Sequence, residues 1–100
     1  MVKILNVMDK LSNFTSLGNG EYESGYWSAP DLNCTIIRLF GRDGETSFLG
    51  GEIQSERIEE VDGKKGRRKI KIFVFKDDPL QHGKPRPPRF KANGCVATNE

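Results

Sequence analysis

Between Arg67 and Lys76 the chain reads Arg-Arg-Lys-Ile-Lys-Ile-Phe-Val-Phe-Lys. Side chains alternate faces along an extended chain, so this run separates into two lists. Ile70, Ile72 and Val74 fall on one side; Arg67, Lys69, Lys71, Phe73 and Phe75 fall on the other. The β-branched list suits a buried core. The mixed list runs from cations into aromatics. Single-stranded nucleic-acid binders present faces of this kind, where bases stack on rings and cations meet phosphates. The competing reading is that another part of the fold covers Phe73 and Phe75, and that the cations are only a solvated strand start.

The rest of the chain is read around that strand. One hundred residues make one domain, and an apolar share of 35% allows only a modest core. Asn33–Arg42 is a second strand, apolar on both faces and therefore central, with Thr35, Ile37 and Leu39 opposed to Cys34, Ile36, Arg38 and Phe40. Asp43-Gly44 is a two-residue hairpin signal that sets Leu39 opposite Phe48. Gly50-Gly51 interrupts the returning strand and predicts a bend or bulge. The strand over 52–61 then enters a five-residue loop, 62–66, which places Glu59 against Lys69 and Ile58 against Ile70. A helix over the same residues would align Ile53, Arg57 and Val61.

Residues 2–11 fit a strand better than a helix, although Ile4, Leu5, Met8 and Leu11 would share a helical face. Residues 12–20 read as a loop with its turn at Gly18-Asn19-Gly20, and Phe14 and Leu17 are expected to tuck inward. Tyr22–Ser28 is a strand with Gly25 as a bulge. Asp78-Pro79 ends the last strand, and the segment after it is basic and proline-rich. The expected fold is a mainly β, antiparallel meander of four to five strands, strongly bent or closed into a small barrel of OB or SH3 type. Residues 1–78 form the domain, and 79–100 leave it as an extended tail with a frayed end.

Charge is unevenly distributed. From Asp43 to Asp62 seven acids face one base, a balance of −6; from Lys64 to Lys91 eleven bases face two acids, a balance of +9. The basic block favours a polyanion, unless the neighbouring acidic block neutralises it. Catalytic chemistry has little to work with. The single histidine, His82, lies in a Pro/Gly-rich segment, Cys34 in a strand and Cys95 in the tail, so no nucleophile–base pair is indicated. The acids Glu52, Glu56, Glu59 and Glu60 read as a solvated face before they read as a carboxylate pair or a cation site. No metal, cofactor or enzymatic activity is expected. The start of the chain lacks the pattern of a secretory leader, and no apolar run is long enough to span a membrane, so a reducing cytoplasm is the expected compartment and no membrane partner is expected.

Two function classes follow. The first is a nucleic-acid-binding module, single-stranded by preference. Lys69, Lys71, Phe73 and Phe75 form its face, Lys64, Lys65, Arg67 and Arg68 grip phosphates, and Arg86, Arg89 and Lys91 extend the track. Tyr22, Tyr26 or Trp27 add stacking. The second is a protein-binding module or inhibitor, such as an adaptor or an accessory protein of a phage or mobile element. It would act through the acidic surface at Glu52, Glu56, Glu59 and Glu60, or as a homodimer. The proline-rich tail also carries a PxxP spacing, Pro85 to Pro88, of the kind SH3-like grooves take.

Overall fold

The alternation at 67–76 does form a strand, β7 (Gly66–Lys76). The structure, a computed structural model, describes residues 2–24, 27–28, 34–42, 44–88 and 95–100, with the backbone alone at 27, 28, 68 and 95. The other strands are β1 (Lys3–Met8), β2 (Thr15–Gly18), β3 (Glu21–Glu23), β4 (Trp27–Ser28), β5 (Ile36–Phe40), β6 (Ser47–Gly63) and β8 (Cys95–Asn99). Single 3₁₀ turns cover Leu11–Asn13 and Pro79–Gln81. Among the described residues the strands form one sheet in the order β2-β3-β7-β6-β5-β1-β8, with β4 following β3 along the same edge of β7. Its end strands β2 and β8 do not pair, so the sheet is not closed into a barrel.

Three expectations need correction. The sheet has eight strands rather than four or five, and it is not a pure meander, because β1 runs parallel to β5 with Ile4 beside Ile36 and Val7 beside Leu39. The first segment is the strand that its sequence favoured, and residues 52–61 are strand rather than helix. The expected loop at 12–20 contains β2, which returns through Asn19-Gly20 to β3. Phe14 is buried there, but Leu17 is exposed. The expected bulge at Gly25 lies outside the described residues.

β6 serves two neighbours in succession. Ser47–Glu52 pairs with β5, and Ile53–Gly63 pairs with β7. The change of partner comes just after Gly50-Gly51. There the Gly50 carbonyl accepts the Asp78 N–H at 2.7 Å, and the Gly50 N–H donates to the Asp77 carboxylate at 3.1 Å. A Cβ on Gly51 would run into the Lys76 carbonyl. The glycines thus let three stretches of backbone meet at the bend. The hairpin register at this end also differs from expectation: Leu39 faces Leu49, while Phe48 is turned to solvent. The turn has an N–H from Gly44 to the Gly41 carbonyl, and Asp43 lies outside the described residues.

The core fills the angle of this bend. Leu5, Val7, Ile37, Leu39 and Leu49 come from one half of the sheet, and Phe14, Phe73 and Phe75 from the other. Phe75 is fully buried; Phe14 meets it edge-on with ring centroids 6.1 Å apart, and Tyr22 stacks on it at 5.8 Å. Both arrangements suit the quadrupoles of the rings. The opposite side of β7 is covered as well, since Ile70 and Ile72 are buried.

The chain beyond Pro79 does not leave the domain as a tail. Residues 83–86 lie along the start of β6, with hydrogen bonds from Ser47 N–H to the Lys84 carbonyl and from Gly83 N–H to the Ser47 carbonyl, 2.9 and 2.8 Å. β8 then adds antiparallel to β1. Two buried polar side chains hold it. The Asn6 amide donates to the Val96 carbonyl (3.0 Å) and to Thr98 Oγ1 (2.9 Å). The Arg38 guanidinium meets both Glu100 carboxylate oxygens, at 3.1 and 2.7 Å, and Gln81 Oε1 at 2.8 Å. That hydrogen-bonded pairing lowers the Glu100 carboxyl pKa below its ordinary value.

Candidate functional site

Past the core, β6 and β7 continue together as a two-stranded arm. Gly63 faces Gly66, leaving Lys64 and Lys65 as a two-residue turn, with Gly66 at φ 107°. The shorter turn moves the expected register by one residue. Glu60, not Glu59, faces Lys69; Glu59 faces Ile70, and Ile58 faces Lys71. A one-residue slip exchanges the faces. One face of the arm therefore holds Glu56, Ile58, Glu60 and Asp62 with Arg67, Lys69 and Lys71. The other holds Arg57, Glu59 and Val61 with Arg68, Ile70 and Ile72.

The acidic and basic blocks neutralise each other along most of this arm. Arg67 lies 3.4 Å from Glu60 and 3.6 Å from Asp62, and Lys71 Nζ lies 3.8 Å from Glu56. Arg57 bridges Glu23 at 2.7 Å and Glu59 at 2.9 Å. Its hydrogen bond to Glu23, then that to Glu59, raises its pKa further above an already high ordinary value. These pairs are mostly exposed, so each contributes little to stability. At the root of the arm, Asp9, Glu23, Ser24, Arg57, Glu59 and Ile72 line part of a cavity of about 410 Å³. Its charged groups already face one another: Glu23 and Glu59 hold Arg57, and Asp9 accepts from Asn13 and the Lys10 N–H.

The expected nucleic-acid face does not assemble as read. Phe73 is 5% exposed and Phe75 0%, so neither ring offers a stacking surface. Lys71, on the same side, is itself buried. Tyr22 is half-buried and stacks on Phe75. Arg86 donates to the Arg42 and Gly44 carbonyls, both at 3.2 Å. Trp27 is placed by its backbone opposite Lys71 and Arg68 by its backbone opposite Val61. Tyr26, Arg89 and Lys91 lie outside the described residues. What the arm does bring together is Lys64, Lys65, Arg67 and Lys69, all exposed. Lys64 and Lys65 have no ion pair within 4 Å among the described residues.

Of the acidic residues, Glu52, Glu56, Glu59 and Glu60 are all exposed, but Glu59 points to the face opposite Glu56 and Glu60. Ile58 lies between these last two and is 59% exposed. Sequence reading passed over Ile58, whose exposure follows from the arm outrunning the core. It also passed over Arg38 and Glu100, which are 62 residues apart and share no local signal. His82 contacts Asp77 at 2.7 Å. Among the described residues no cluster of His, Cys, Asp and Glu could hold a metal ion, and no helix is long and apolar enough to cross a membrane. Compared with protein-family models, curated proteins and solved structures, the chain matches nothing.

Proposed function

We propose that this protein is a non-enzymatic nucleic-acid-binding module that grips phosphates with the end of its β6–β7 arm. The observation that carries the reading is the position of Lys64 and Lys65. They are exposed at the outermost turn, beyond the reach of the acids that pair with the other cations of the arm. Arg67 and Lys69 stand beside them and Arg68 follows in the chain. Cations clear of neighbouring carboxylates release counterions when they meet a phosphate backbone, and binding of that kind is sequence-independent and steeply salt-dependent. The aromatic support for single strands lies in the core, so the reading rests on charge, and strand preference becomes something the test measures.

The test is fluorescence anisotropy with a labelled single-stranded oligonucleotide and its duplex, each at low and at moderate salt. Binding that weakens steeply with salt is expected, and Lys64→Glu with Lys65→Glu should reduce affinity about tenfold or more. Absence of binding to either ligand at low salt rejects the reading. A second reading is favoured by Ile58, a large apolar side chain exposed between Glu56 and Glu60. There the arm would dock a protein carrying an apolar pocket with a basic rim, and Ile58→Asp would abolish capture where Lys64→Glu would not.

A further inference from the structure

We infer that the outer edge of β8 is a self-association edge, to which β8 of a second copy of this chain adds antiparallel about a two-fold axis at Ala97. The argument begins with backbone hydrogen bonds. Val2 and Glu100 exchange both of theirs, at 2.7 and 2.9 Å. Bonded and non-bonded pairs alternate along an antiparallel ladder. The register continues Ile4 with Thr98 and Asn6 with Val96 as bonded pairs. The N–H and C=O groups of Cys95, Ala97 and Asn99 then point away from β1. No strand among the described residues lies on that side.

Other free edges of the sheet carry features that discourage pairing, and β8 carries none. Ser24 takes both backbone groups of Phe73 on the far side of β7 from β6. Phe73 faces Glu56, so the backbone groups of Glu56, Ile58, Glu60 and Asp62 point outward by the same alternation. A second copy meeting that edge meets carboxylates. β2 loses its register between Ser16 and Gly18, where Gly18 has φ 87°. Charge and irregular backbone are the usual protection of exposed edges. β8 reads Cys-Val-Ala-Thr-Asn, with no charge, no proline and unbroken register against β1.

The edge is also held firmly, by Asn6 within it and by Arg38 at Glu100, so little freedom remains to be lost on pairing. The occupant that best matches it is the edge itself. Centring the pair on Ala97 sets Cys95 opposite Asn99 of the second copy, uses all three outward residues and brings no like charges together. The same patch serves both chains, as closed two-fold symmetry requires. A five-residue strand pair is a small interface, so the dimer is weak. The inference is independent of what the β6–β7 arm binds.

Sedimentation equilibrium of the full chain from about 1 μM to about 1 mM tests it. The mass should rise from that of one chain toward that of two. Ala97→Pro removes only an outward donor; it should stay monomeric throughout with a melting temperature near that of the wild type. Thr98→Pro removes a bond to β1 and should melt lower. A wild-type protein that is monomeric over the whole range overturns the inference, as does a dimer that survives Ala97→Pro. If Ala97→Pro fails to fold, Ala97→Cys with Cys34→Ser and Cys95→Ser decides. Oxidation should then link two chains through residue 97, because a bonded pair sets Cα atoms about 5.5 Å apart, within disulfide range. No cross-link overturns the inference.

Discussion

The two ends of the β6–β7 hairpin obey different rules. Around Phe73 and Phe75, β7 is covered on both faces and lies among apolar side chains from both halves of the bent sheet. Around Arg67 and Lys69 the same two strands stand clear of the core, and ion pairs between exposed groups line them. One continuous alternation of residues thus passes from a region held by packing to a region held by the backbone ladder. The lesson is that period-2 patterning establishes the strand, while its distance from the bend at Gly50-Gly51 decides what each side chain contributes.

That contrast can be broken by substitution. Phe75→Ala should cost about 3–5 kcal/mol, because it leaves a cavity between Phe14 and Tyr22; chemical denaturation checks it, and a cost no larger than that of an exposed site would place the core elsewhere. Arg38→Ala should cost about 2 kcal/mol by freeing Glu100 and Gln81, with hydrogen exchange accelerated first at β8. Glu100→Gln should cost about 1 kcal/mol or less, since its carboxylate is half-exposed and screened. Its pH dependence has a definite sign. The folded state holds this carboxyl below its ordinary pKa, so the unfolded chain binds the proton more readily. The contribution is complete above the ordinary carboxylate range and is lost as pH falls through the folded-state value. Melting curves of wild type and Glu100→Gln should therefore converge in acid. Least of all, Lys64→Glu with Lys65→Glu should change stability by less than about 0.5 kcal/mol while changing ligand binding. A large loss of stability would show that the turn is not the independent element described above.

Much of the body was legible in the sequence, and the reasons are local. Ile36–Phe40 carries apolar residues on both faces and is indeed flanked on both sides, by β1 and β6. Gly50-Gly51 marks the bend because only glycine allows backbone so close. The register of the arm was not legible, since Asp62–Gly66 can close as a longer loop or a two-residue turn and each choice moves every cross-strand pair. Nor could alternation reveal that both sides of β7 are covered. It separates Ile70 and Ile72 from Phe73 and Phe75 but does not count the layers that meet them. β8 gave the weakest signal, because a short run with one valine becomes a strand through Asn6 and Arg38, partners far away in the chain.

The Asn6 staple has a kinetic consequence. Its amide is buried, and its acceptor at Thr98 lies 92 residues along the chain. The β6–β7 ladder is local and can zip within microseconds of its turn forming. β1 cannot be completed in the same way. Until β8 arrives, closing the core over β1 would strand a polar amide without its acceptors, which opposes closure. Folding should therefore show a fast phase that reports the hairpin and a slower one that reports β1 and β8 together, with Asn6→Ala altering the second and leaving the first alone.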